Sequence, residues 1–302
     1  REGGLLDDAG AAMKRALVIA ALAPLLMGGG VVMKGVKASG VFVPGTTISA
    51  PSWVSCASDN VARYSMDETG ENDREDTGQC GDECDLSATT GVTHAAGVRG
   101  NAATTTASAT QELTCTNATC DELDRTGSFS WAGYLRPPVA PILPGLFFDT
   151  WDAGDNDGLR ISAGGTAVAA QTLAVTASVS ILDASKFQFV FVSWDETNDE
   201  LKLCVSNEDN AWTCDTESAT GPFVASGIDP TICLTLQGTI YCDEMSLWNL
   251  ELSEEDACRV CACYPDGTGC TISGTRWVDT GHLGTVCKGC TLPADASKAC
   301  PT

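Results

Sequence analysis

Hydrophobic and polar residues follow two different patterns along this chain. From Ala16 to Met33 the text ALVIAALAPLLMGGGVVM is uncharged, with Lys14 and Arg15 before it and Lys34 and Lys37 after it. Wound as a helix at ~1.5 Å per residue, this run reaches ~27 Å, the thickness of a bilayer core. From about Asn60 onward the period shortens to two. In SFSWAGYLR, Phe129, Trp131, Gly133 and Leu135 fall on one face and Ser130, Ala132, Tyr134 and Arg136 on the other, which predicts a half-buried strand. GLRISA puts Leu159 and Ile161 inward, and TLAVTASVS puts Leu173, Val175, Ala177 and Val179 inward. KFQFVFVSW is apolar on both faces and predicts a central strand between covered layers. It runs into WDETNDELKLCV, a hairpin whose acidic turn is Thr197 to Asp199.

Many short strands without a long helical period predict a mainly β fold, a two-layer β-sandwich or jelly roll. One N-terminal apolar α-helix precedes it and a disulfide-rich tail follows it. The expected organisation is residues 1–37 for the helix, 38–59 for a Pro/Gly-punctuated linker, 60–262 for the sandwich and 263–302 for the cysteine-rich tail, packed on the sandwich. The apolar segment has three readings. It is a membrane anchor, the packed core of a filament, or a signal peptide, since from Met13 it has a basic start, an apolar stretch and a small-residue exit at Ala38. Gly28 to Gly30 allow close helix approach, whereas Pro24 kinks the rod.

Charge narrows the partners. The net charge is −23, and it is uneven: residues 1–50 hold five basic and three acidic groups, leaving 12 basic against 37 acidic in the rest. Such a body repels phosphate backbones, so nucleic acid is not an expected partner. Copies of itself, a membrane reached through the N-terminal helix, glycans and surface proteins are.

Sixteen cysteines with two histidines is a disulfide composition, and it predicts an extracytoplasmic chain at the cell surface or in an extracellular filament. Spacing suggests local pairs Cys80 with Cys84, Cys115 with Cys120, Cys204 with Cys214, and Cys233 with Cys242. The tail adds Cys258, Cys261, Cys263, Cys270, Cys287, Cys290 and Cys300, an odd number whose outside partner is Cys56. Its two CxxC pairs, CRVC and CKGC, with His282 near, also have a zinc-site spacing; the oxidising context favours a disulfide knot. Asn117, in Asn-Ala-Thr, is a candidate glycan acceptor.

Four separated segments resemble, in order, the laminin-G-like jelly roll of the concanavalin A type found in bacterial surface proteins. They are ARYSMDETGENDREDTG, SFSWAGYLRP, FQFVFVSWDETNDELKLCVSN and IYCDEMSLWNLELSEEDACRV. The resemblance covers residues 60–262 and implies glycan- or protein-binding, structural or adhesive modules, often with Ca²⁺ at the sandwich rim. The helix closing the last segment has its own start signal, Ser253 followed three residues on by Asp256. More distantly, Leu5 to Met33 is similar to the helices of tight-adherence pilins, although Lys14 or Arg15 stands where those carry a glutamate.

The candidate sites are few. Asp149, Asp152, Asp155 and Asp157 crowd the loop FFDTWDAGDNDG and are candidate Ca²⁺ ligands, Ca²⁺ being the one cofactor the chain suggests; Trp151 among them is a candidate sugar-stacking face. A solvated acidic turn explains the same residues. Glu196, Asp199 and Glu200 sit in a hairpin turn, where the alternation that aligns paired glycosidase carboxylates is broken. His94 and His282 lie near no nucleophile motif. No catalytic residue is nominated, and the expected function is a non-enzymatic extracellular module displayed by the N-terminal helix, structural or adhesive, as a surface-filament subunit in one form. The alternative is a secreted or anchored glycan-binding protein or glycoside hydrolase of the concanavalin A-like superfamily.

Overall fold

The computed structural model describes residues 60–263 apart from short loop segments, together with 270–273, 276–279 and Cys287. The apolar segment 16–33, the linker 38–59, Cys56, Cys290, Cys300, Asn117 and His282 lie outside the described residues, as do the side chains of Cys263 and Cys270. No described helix is long and apolar enough to cross a membrane.

The strands in chain order are β1 (Asn60–Tyr64), β2 (Ser87–Ala88), β3 (Thr93–Ala96), β4 (Asn101–Thr106), β5 (Leu113–Thr114), β6 (Phe129–Arg136), β7 (Gly145–Asp149), β8 (Arg160–Gly164) and β9 (Ala167–Thr172). There follow β10 (Val175–Ser180), β11 (Gln188–Asp195), β12 (Glu200–Ser206), β13 (Thr213–Ser218), β14 (Thr231–Leu234), β15 (Thr239–Trp248), helix α1 (Glu254–Cys263), β16 (Cys270–Ser273) and β17 (Arg276–Asp279). Eight strands form the larger sheet, ordered β13-β12-β11-β6-β15-β4-β3 with β1 also paired to β15. Seven form the smaller sheet, ordered β10-β9-β8-β7-β14-β5-β2, and β16 with β17 makes a separate ribbon. The chain crosses between sheets repeatedly, and its described connections gather at two ends of the sandwich. One end carries 137–139, 143–144, 183–187 and 235–238; the other carries 150–159, 196–199 and 219–230.

The core is what period-two patterning builds. Trp131, Leu135, Val190, Val192, Trp194, Leu201, Leu203 and Ile240 of the larger sheet face Phe147, Ile161, Ala163, Val168, Ala177 and Ile232 of the smaller one, and all are buried. Trp131 meets Phe147 edge-to-face at 4.6 Å between centroids, a favoured quadrupole geometry. β11 is buried along its length except at Asp195.

The outer face of the larger sheet differs from the half-buried strand the alternation predicts. Ser130, Ala132 and Tyr134 are buried as well, because α1 lies over them. A second apolar cluster gathers Ala132, Tyr134, Phe189, Phe191, Trp248, Leu252, Ala257 and Val260 there. The Tyr134 hydroxyl donates to the Cys261 carbonyl at 2.6 Å, and the Ser130 hydroxyl accepts the Leu252 N–H at 2.7 Å. Polar groups on that face thus anchor a cover where alternation alone suggests solvent. The helix starts where its sequence signal puts it: Ser253 Oγ accepts the Asp256 N–H at 3.2 Å and donates to the Asp256 carboxylate at 2.7 Å.

Disulfides join Cys80 to Cys84, Cys115 to Cys120, Cys204 to Cys214, and Cys261 to Cys287; Cys258 is disulfide-bonded too. Cys204 and Cys214 are directly opposite on β12 and β13. Cys233 and Cys242, paired by spacing, are both buried and unbonded in the structure, with their thiols in hydrogen-bond contact. Nine residues apart resembles a cross-strand pair, but β14 and β15 belong to different sheets, so the two face each other across the core.

Candidate functional site

The aspartate-rich loop between β7 and β8 is organised by its own contacts. Asp149 forms a two-point ion pair with Arg160, at 3.0 Å to Nε and 2.9 Å to a terminal nitrogen, and accepts the Trp151 N–H at 3.1 Å. Asp152 accepts the Gly154 N–H at 2.7 Å, and its backbone bridges that of Asp157. Asp155 is exposed and Asp157 half-buried. Trp151 is only 8 % exposed and offers little ring face to a ligand. Among the described residues, ligand atoms converge at Asp76, Cys80 and Cys84 and at Cys204, Cys214 and Glu254, and in both groups the sulfurs are joined in disulfides. The four loop aspartates form no such group.

The other acidic and imidazole candidates are placed just as plainly. Glu196 is exposed beyond the β11–β12 hairpin, whose turn is held by Asp195 accepting the Thr197 N–H at 2.8 Å and the Asn198 amide at 2.5 Å. Glu200 opens β12 opposite Asp195. His94 Nδ1 accepts the Gly70 N–H at 3.1 Å, on the surface.

The end of the sandwich bearing 137–139, 143–144, 183–187 and 235–238 carries a feature no sequence motif announces. Antiparallel pairing sets Arg136, the last residue of β6, opposite Tyr241 on β15, and Phe187 precedes β11 on the next strand over. The three side chains share the outer face. The Arg136 guanidinium lies 3.4 Å from the centroid of the Tyr241 ring and 5.4 Å from that of Phe187, a cation held by two aromatic quadrupoles. Among the described residues Arg136 makes no ion pair and no side-chain hydrogen bond, and the hydroxyls of Tyr241 and Thr239 are likewise without partners.

These side chains wall an open cleft of about 430 Å³ lined by Arg136, Pro137, Val139, Ser185, Thr239 and Tyr241. Val139 in its wall is 69 % exposed, and Leu143 and Leu236 on the same two loops are exposed as well. The rim loops brace each other, since the Leu143 N–H donates to the Gln237 side chain at 3.2 Å. A side chain at position 238 would collide with Pro138, its Cβ 2.8 Å from that of the proline, and Gly238 has φ +76°; glycine alone lets the two loops approach this closely. Convergent donors on a rigid sheet end, ringed by apolar loops, is the usual composition of a ligand site.

A second unusual group lies inside the fold. Asp243 on β15 is fully buried; one oxygen accepts the Val98 and Arg99 N–H groups at 2.6 and 3.2 Å, and the other has no hydrogen-bond partner. Burial pushes its carboxyl up to about 8, the Arg99 and Val98 N–H bonds opposing and the charges of Glu244 and Asp67 adding. Glu244 is also buried, sits at φ +45° in an irregular stretch of β15, and pairs with Arg99 at 3.5 Å.

No protein-family model and no curated protein matches the sequence. Solved structures do. The binding domain of Paraclostridial Mosquitocidal Protein 1 superposes with a TM-score of 0.52 at 11 % identity, over 67 % of this chain and 51 % of that one. A botulinum neurotoxin type C structure, whose cell entry is described as dependent upon interaction with two ganglioside molecules, gives 0.51 at 12 % identity over 75 % and 62 %. The botulinum neurotoxin serotype G binding domain gives 0.50 at 10 % identity over 66 % and 50 %. The chain spans about half the length of the first and third of these and less than two thirds of the second. At such identities the likeness is one of fold: the two-sheet sandwich of this chain is also the architecture of toxin binding domains.

Proposed function

We propose that this chain is a non-enzymatic extracellular binding module that recognises glycans through the cleft at Arg136 and Tyr241. The observation that carries the reading is the open cleft itself. It brings together, on a rigid sheet end, apolar walls with a guanidinium and two hydroxyls that have no partner among the described residues. Sugars offer both hydroxyls and an apolar C–H face, and such a surface meets both. Two further facts support the reading. The fold is shared with domains that bind rather than catalyse, one of them in a protein described as interacting with gangliosides. The described disulfides suit an oxidising, extracellular compartment.

The laminin-G-like motifs give the finer family reading, with display at the cell surface by the apolar run 16–33 as anchor or filament core. In this reading the aspartate loop at the other end is a surface turn, and hydrolysis by Glu196 and Glu200 has no geometric support, since the pair lies in an exposed hairpin away from the cleft.

The test is a glycan array followed by calorimetry on the wild-type protein and on Arg136→Ala and Tyr241→Ala. Binding of a glycan class that either substitution abolishes, with unchanged far-UV circular dichroism, is the expected result. Absence of any glycan ligand, or binding indifferent to both substitutions, overturns the proposal.

A further inference from the structure

Resting on that reading, we infer that the cleft selects sugars that carry a carboxylate. Among the described residues Arg136 is a cation without a carboxylate partner, on a body with a large acidic excess. Two other partly exposed arginines pair with an acid, Arg160 with Asp149 and Arg99 with Glu244. Arg136 instead lies against two rings, which orient the planar fork and leave its N–H edge for a ligand.

A carboxylate matches that edge with two parallel N–H···O bonds, a geometry neither a hydroxyl nor an ammonium reproduces. The Tyr241 and Thr239 hydroxyls then stand beside it to meet ring hydroxyls. Pro137, Val139 and Ala184 form the apolar side of the cleft, against which the C–H face of a pyranose rests. Lys186 joins Arg136 at this end, and Asp183 is turned onto the Ser185 N–H and hydroxyl at 2.8 and 2.5 Å.

Two natural sources share this chemistry, the uronic acids and the sialic acids, and the measurement separates them. Oligosaccharides ending in glucuronate or galacturonate, and others ending in a sialic acid, are titrated into the wild-type protein beside the same compounds with the carboxyl reduced to an alcohol. At least one acidic series is expected to bind roughly ten- to a hundredfold more tightly than its reduced form, the ratio of a charge-assisted hydrogen-bond pair to a neutral one. Arg136→Gln, which keeps donors without the charge, is expected to erase that ratio, and Arg136→Lys to keep part of it. The stronger series names the source. Reduced and acidic forms binding alike, with Arg136→Gln without effect on their ratio, overturns the selectivity and leaves the glycan reading standing. No binding by any of them, acidic or neutral, overturns both.

Discussion

Replacing Asp243 by asparagine tests the least ordinary group in the interior. Its folded-state carboxyl titrates near 8 against an ordinary 3.8, so between these values the folded chain holds a proton that the unfolded chain has released. Stability therefore falls as pH rises through that window, opposite in sign to a salt-bridged aspartate. At ~1.4 kcal/mol per pH unit, the full span costs on the order of 5 kcal/mol by pH 8, and about 3 kcal/mol by pH 6. Asparagine still accepts from Val98 and Arg99 through its oxygen, and its amide replaces the unpartnered hydroxyl of the acid. Glu244 stays paired with Arg99, and Asp67 keeps the Asn101 N–H. The variant should lack this pH dependence and exceed the wild type by several kcal/mol at pH 8, while the two converge near pH 4. Urea unfolding followed by tryptophan fluorescence, at intervals from pH 4 to 9, measures both. A wild-type stability that rises or stays level between pH 5 and 8 refutes the reasoning.

Three further substitutions probe how the layers are held. Tyr134→Phe leaves the Cys261 carbonyl without its buried donor and should lower stability by about 1–3 kcal/mol in chemical denaturation, with no change in the denaturant slope. Removing Cys204 and Cys214 together opens a loop of sequence separation 10 and should cost about 2–4 kcal/mol by the same measurement, with β13, at the sheet edge, first to exchange amide protons. Ser253→Ala removes the α1 cap and should cost ~1 kcal/mol, seen as faster hydrogen exchange in the first turn of the helix.

The sandwich was legible because period-two patterning records which face of a strand is buried, and β8 and β10 follow it, while the two-sided apolar run of β11 marks a strand covered on both faces. The same alternation misjudged the outer face of β6, since Ser130 and Tyr134 look solvated until α1, more than a hundred residues later, covers them. Cys233 and Cys242 do come together as their spacing suggests, although a crossover between sheets and not a hairpin makes them neighbours. The cleft was invisible in the sequence. Arg136, Tyr241 and Phe187 are scattered in sequence, and only strand register makes them neighbours. The aspartate loop drew notice by being local; Asp149, for one, proves to hold Arg160. Asp243 lay in plain view within the closing-strand motif, but burial, which gives it its properties, is not written in the residue.

All four described disulfides are short-range stitches or fasten the tail to the helix, and none passes from one sheet to the other. Among the described residues the layers adhere through interlocked side chains, with Cys233 and Cys242 an unjoined couple in the seam. A mild reductant should therefore loosen the margins of this protein first and leave its centre closed, so that durability in the open medium comes from grease as much as from sulfur.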